Sequence, residues 1–129
     1  MDHQNQRFYF CRDCGTIVGL IAGSPESLSC CGKPMEPLRA NSVDASQEKH
    51  VPVVSVVESI VNVKVGSAEH PMTEAHHIDW IYVLTAKGGQ RRVLSIDDKP
   101  GARFALADGD KALAVFAHCN LHGLWMTEL

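Results

Sequence analysis

The sequence predicts an all-β protein in two parts, a small cysteine-stapled module followed by an antiparallel β-sandwich of about seven strands. Three observations carry that expectation. Four of the five cysteines lie within the first 31 residues. Val61-Asn-Val-Lys-Val65 alternates apolar and polar residues with the period of two that a half-buried strand requires. Turn residues then recur at short intervals to the C-terminus, and no stretch shows convincing helical periodicity.

Residues 1–37 make up the expected module. Phe8-Tyr9-Phe10 leads into Cys11-Arg-Asp-Cys14-Gly15, Ile17 to Ile21 reads as a short strand, and Gly23-Ser-Pro25 and Ser27 to Ser29 supply turns before Cys30-Cys31-Gly32. So few residues bury little apolar surface, and a metal or partner subunit must help them fold. Residues 38–47 are polar and without period, which reads as a linker. Residues 48–129 are the sandwich. Val51 to Val57 pairs with the Val61 strand across Glu58-Ser59, a weak turn. Ile78 to Thr85 and Arg91 to Ile96 flank Lys87-Gly88-Gly89, a hairpin signal. Arg103 to Ala107 and Lys111 to Ala117 flank Asp108-Gly-Asp110, read as a second hairpin, and Leu124 to Thr127 closes the set. His70-Pro71 and Met72 to Ala75 form a loop.

Composition narrows the function classes. An apolar fraction of 45% suits a globular chain. A net charge of −3 gives no whole-molecule attraction to nucleic acid or acidic membranes, and the basic residues are scattered with only 6% aromatics between them. The polar start, Met1 to Gln6, is followed by no apolar signal-peptide region, and Thr16 to Ala22 is too short to span a bilayer, so the expected location is the cytoplasm. There, five cysteines read as metal ligands or redox groups rather than a disulfide framework.

Cys11-x-x-Cys14 with Cys30 and Cys31 completes a Cys₄ set for zinc or iron. The spacing speaks for a metal without choosing between them, and the adjacent pair is expected to distort the tetrahedron. With no open position, this site serves folding or electron transfer. The second site begins from Cys119-Asn-Leu-His122, a thiolate and an imidazole three residues apart. Such a pair can be nucleophile, core or metal ligand. His50, His70 and His76 stand where extended segments start or end, and that combination favours a metal. His77 and His118 should point away by alternation, with His77 the nearest rival to His76, and His3 belongs to the N-terminal tail. Four imidazoles and a thiolate suit a five-coordinate iron with one open position, whereas catalytic zinc keeps three protein ligands.

These motifs together resemble desulfoferrodoxin, the two-iron class of superoxide reductase, over essentially the whole chain. The resemblance rests on Cys11-x-x-Cys14 and Cys30-Cys31, Glu48-Lys49-His50, Glu69-His70-Pro71-Met72, His76 with Ile78 and Trp80, and Cys119-Asn-Leu-His122-Gly-Leu-Trp125. His77 replaces a common aromatic, and Glu58-Ser59 lacks the usual turn glycines. The resemblance implies a desulforedoxin-like module bearing an FeCys₄ centre. It further implies an immunoglobulin-like sandwich whose second iron has His50, His70, His76 and His122 in a plane and Cys119 as axial ligand. The implied activity is reduction of superoxide to hydrogen peroxide without dioxygen release. Lys49 is implied to attract the anion and order a water for proton delivery, and Glu48 to bind the oxidised iron after product leaves. A homodimer and a small electron-donor protein such as a rubredoxin are the implied partners. The rival expectations are a non-catalytic iron electron carrier and a zinc-stapled binding module.

Overall fold

Alternating β-branched residues and closely spaced turns favour short antiparallel strands. The structure, a computed structural model, describes residues 8–129; His3 lies outside them. The chain divides into two compact units, Met1–Arg39 and Ala40–Leu129. No helix among the described residues is long and apolar enough to cross a membrane.

In the first unit, β1 (Phe8–Phe10) pairs antiparallel with β2 (Ile17–Gly19) and with β5 (Glu36–Pro37). A separate hairpin joins β3 (Ser29–Cys30) to β4 (Lys33–Pro34). Its two turn residues, Cys31 (φ 52°) and Gly32 (φ 75°), are both left-handed, as a two-residue turn matching strand twist demands. Among the described residues of this unit, Phe8 and Cys11 are the buried apolar ones. The ion pairs Arg12–Glu36 (2.7 Å) and Lys33–Asp13 (3.3 Å) are exposed and stabilise it little.

The second unit is a sandwich of two open sheets. One has the order β10-β7-β6 and the other β12-β11-β8-β9. Their strands are β6 (Pro52–Val57), β7 (Ile60–Val65), β8 (Ile78–Thr85), β9 (Gly88–Val93), β10 (Gly101–Ala105), β11 (Ala112–Cys119) and β12 (Gly123–Glu128). Val61, Val63 and Val65 of β7 meet Ile78, Ile81 and Val83 of β8, Phe104 of β10, and Val115, Ala117 and Cys119 of β11 in one buried core. A register irregularity where β8 passes His118 and Cys119 lets Ile78 and Ile81 both face inward although three residues apart.

The structure departs from the sequence expectations in four places. The stretch 38–47 is not free chain: Leu38 N–H donates to Phe8 O in the first unit. In the second, Asn41 donates through Nδ2 to Met126 O (3.2 Å) and accepts from Met126 N–H (2.9 Å), tying itself to β12. Second, the junction of linker and first strand contains one helical turn, α1 (Gln47–His50), and the turns expected around Pro25 and Ser27 include a 3-10 turn, Pro25–Ser27. Each is too short to show periodicity. Third, β10 and β11 are not a hairpin, for β10 pairs with β7 in the opposite sheet. Asp110 explains the crossing: its Oδ1 accepts from Lys87 N–H (3.1 Å) and Lys111 N–H (2.8 Å), binding the chain to the β8–β9 turn. Fourth, Gly88 and Gly89 belong to β9 rather than to the turn, and Gly89 leaves room for the Tyr82 side chain where a Cβ would collide with it.

Glu58 and Ser59 do connect β6 to β7, with Glu58 exposed and left-handed (φ 54°). A side chain there strains the backbone by about 1 kcal/mol, part of which glycine's greater unfolded-state freedom takes back. Glu58→Gly should therefore raise the thermal midpoint of the iron-loaded protein slightly; an unchanged or lower midpoint contradicts this account of the turn.

Candidate metal centres

The first centre grows from two tight turns. Gly15 (φ 80°) closes the Cys11–Cys14 turn by donating to Cys11 O (2.8 Å), and Cys11 N–H donates to Thr16 O (2.9 Å). The β3–β4 turn presents Cys30 and Cys31 from adjacent positions. The four sulfurs lie within 4.8 Å of one another, with Cys14–Cys30 at 3.5 Å and Cys30–Cys31 at 4.0 Å. A tetrahedron with metal–sulfur bonds near 2.3 Å requires edges of about 3.8 Å, which these contacts bracket. Electrostatics agree. The Thr16 hydroxyl (3.1 Å) and N–H hold the Cys14 thiol down to about 6, whereas the crowding of Cys14 and Cys11 pushes Cys30 up to about 12. Four thiolates so close need a cation.

The second centre draws on four segments of the sandwich. His50 ends α1, which is held against the following loop by Ala68 N–H donating to Glu48 O (2.8 Å). Gly66 permits that approach, because a Cβ there would stand 2.6 Å from the same Glu48 oxygen. His70 follows in the loop, its N–H donating to Val65 O (2.9 Å). His76 sits in a turn in which Thr73 N–H donates to His76 O (2.9 Å). Cys119 ends β11, and His122 precedes β12.

The four rings form a square. Neighbouring centroids are 4.7 Å (His50–His70), 4.6 Å (His70–His76), 5.1 Å (His76–His122) and 4.9 Å (His122–His50) apart. Adjacent rings stand 78–86° to one another, so the square resembles a four-bladed propeller. The nitrogens of His50, His76 and His122 and the Cys119 sulfur all lie within 4.8 Å of each other. His70 falls outside that tightest set, being the corner opposite His122, but its Nε2 is buried without a hydrogen-bond partner, as is that of His76. Orphaned buried nitrogens are costly unless something else binds them.

Second partners fix which nitrogen is free. His50 Nδ1 donates to Ser46 O (2.6 Å) and His70 Nδ1 to Pro71 O (2.7 Å), so both turn Nε2 toward the centre. His50 Nε2 lies 3.1 Å from His122 Nδ1, about the separation of neighbouring ligands on one ion with 2.1 Å bonds. Burial lowers the pKa of His50 and His76 and brings His70 to about 4, which keeps the imidazoles neutral and able to donate. Burial pushes the Cys119 thiol up, opposed by the N–H groups of Leu121 and His122, the latter 3.4 Å from the sulfur. A bound cation would reverse that preference. This donor set of imidazoles plus one thiolate fits iron.

His77 and His118 stay outside. His77 Nδ1 is 2.8 Å from Thr73 O, and His118 bonds Asp79 (2.8 Å) and stacks on Trp80 (5.3 Å, 3°). Lys49 and Glu48 are exposed on α1, and the Lys49 charge helps lower His50 and His76. Two residues have roles that the sequence analysis did not assign. Trp125 stacks on His50 (4.9 Å) and donates to His122 O (3.1 Å). Asn120 accepts from His77 N–H (2.8 Å) and donates to Ala75 O (3.0 Å), clamping the His76 turn to the Cys119–His122 turn. The only sequence signal for it is its place between two donors.

A family profile described as Desulfoferrodoxin matches residues 42–128. The chain belongs to the desulfoferrodoxin family. A desulfoferrodoxin from Syntrophotalea carbinolica is 48% identical over 120 residues, covering 93% of this chain and 94% of its own. The crystal structure of the superoxide reductase from Treponema pallidum matches with a TM-score of 0.79 and 38% identity, over 94% of this chain and 98% of that one. The 1Fe-SOR superoxide reductase from Giardia intestinalis matches 64% of this chain and 99% of its own, with 31% identity and a TM-score of 0.52. The fold is thus that of the superoxide reductases, and both donor sets have the composition this family devotes to iron.

Asn120→Ala should weaken metal retention at the second centre about 10–100-fold, as loss of an orienting partner does, with Asn120→Asp intermediate. Chelator challenge with iron counting checks this; retention equal to the parent protein contradicts the clamp.

Proposed function

We propose that the protein is a superoxide reductase. The observation that carries this reading is the square of four imidazoles around one point, with the buried Cys119 sulfur beside them. In this reading His50, His70 and His76 bind through Nε2, His122 through Nδ1 and Cys119 through its sulfur. Cys11, Cys14, Cys30 and Cys31 hold a second iron. Iron bound by the four histidines and Cys119 supplies a single electron. Superoxide takes up that electron and two protons and leaves as hydrogen peroxide, so no dioxygen forms.

The chain's own groups make that centre selective. Amide N–H groups of Leu121 and His122 point at the Cys119 sulfur and temper how strongly it donates. Carbonyls of Ser46 and Pro71 hold His50 and His70 in the tautomer that presents Nε2. Lys49, beside His50, places a positive charge at the site of an otherwise acidic protein, attracts the anion and orders the water that delivers a proton. Glu48, exposed on the same helical turn, is the carboxylate that would be available to the iron once product has left. An iron held by the four cysteines would store or relay electrons, a small donor protein such as a rubredoxin is the proposed source, and a homodimer is the proposed working form. Reduced thiol sites suit the cytoplasm.

Iron-loaded protein given a superoxide flux and a reductant should yield one hydrogen peroxide per superoxide and no oxygen. Oxygen equal to half the superoxide consumed would indicate dismutation, and absence of peroxide a plain electron carrier; either contradicts the proposal. Lys49→Ile should slow the reaction about tenfold at low salt and flatten its ionic-strength dependence. If neither changes, Lys49 does not steer.

A further inference from the structure

The second unit also has an open cleft of about 970 Å³. Lys64 of β7, Arg92 of β9, Arg103 of β10 and Lys99 before β10 line it, with Glu69 as the sole carboxylate in the lining. The cleft therefore carries a local excess of three positive charges on a chain of net charge −3. None of the four cations has an ion-pair partner among the described residues. Like charges lining one concave surface repel each other and focus a positive potential outward, and a bound anion relieves both effects.

The backbone gives the cleft its shape. Arg103 stands opposite Asn62 in the β10–β7 ladder, and Gly101 opposite Lys64. A Cβ at Gly101 would come 2.6 Å from Val63 O, so the position beside Lys64 stays empty of side chain. Arg92 reaches across from β9, donating through Nη2 to Arg103 O (3.4 Å), which joins the edges of the two sheets at the cleft. Asn62 adds a neutral amide donor, while the Ser67 hydroxyl is already given to Glu48 O (3.3 Å). Two guanidinium forks match phosphoryl oxygens, and two ammonium groups add charge without geometric demand. The lining contains no aromatic ring on which a base could stack. Its volume exceeds what one phosphate group fills.

We propose that this cleft binds a polyphosphate-type anion, two or more linked phosphoryl groups, either free or carried by a nucleotide. None of the donors of the two metal centres lines it, nor does Lys49, although Glu69 of its lining directly precedes His70.

The test is calorimetric titration of the full iron-loaded protein with pyrophosphate and with ATP, at constant ionic strength, while the visible spectrum is followed. The expected result is saturable binding below about 1 mM that weakens at least about tenfold in Arg103→Glu and in Lys64→Glu. Arg91→Glu, on β9 but outside the lining, should bind like the parent. Equal affinity for pyrophosphate and ATP identifies a free polyphosphate as the ligand type, and tighter ATP binding a nucleotide. Binding unchanged in Arg103→Glu would reveal chelation of the iron rather than a protein site, and binding matched by sulfate would reveal general charge attraction. Either result, or no binding, overturns the proposal.

Discussion

Buried lone pairs aimed at one point repel, and the rest of this structure follows from how that conflict is arranged. At the second centre, Nε2 of His70 and His76 is buried without a partner, and His50 Nε2 faces His122 Nδ1 at 3.1 Å. Leaving such groups unsatisfied costs about 1–3 kcal/mol each. The chain nevertheless spends hydrogen bonds from Ser46 and Pro71 on holding the rings in this orientation. Only a cation reconciles the two facts. The Cys₄ module states the same principle in thiolates, where the neighbouring Cys14 and Cys11 sulfurs push Cys30 up to about 12.

The sandwich supplies what the second centre needs, which is rigidity at the ends of its strands. Cys119 closes β11 at the bottom of the core, fully buried, so its sulfur is fixed by the same packing that fixes Val115 and Ala117. The other donors come from loops and from the single turn of α1, which would wander without ties. Asn120 supplies one tie, Trp125 another, and the Ala68–Glu48 bond across Gly66 a third. Each joins two donor-bearing segments, so the site behaves as one object rather than five residues.

Much of this was legible in the sequence because local rules determine it. The β6–β7 pairing follows from strict alternation in Val61–Val65, and the preference for His76 over His77 is consistent with His77 bonding back to Thr73. What local reading missed is non-local. Asp108-Gly-Asp110 announces a reversal but cannot say that β10 joins β7 and β11 joins β8, a choice Asp110 makes through Lys87. Asn41 looked like linker because its partner, Met126, is 85 residues away. The helical turn ending in His50 is too short to leave a periodic trace, yet it sets Glu48 and Lys49 beside the metal ligands proposed here.

The visible spectrum of oxidised, iron-loaded Cys119→Ser tests the central claim most directly. If the buried sulfur and the four imidazoles share one iron, the sulfur-to-iron charge-transfer band of that centre disappears while the Cys₄ absorption persists. An unchanged spectrum, with iron still bound at both centres, would contradict the account.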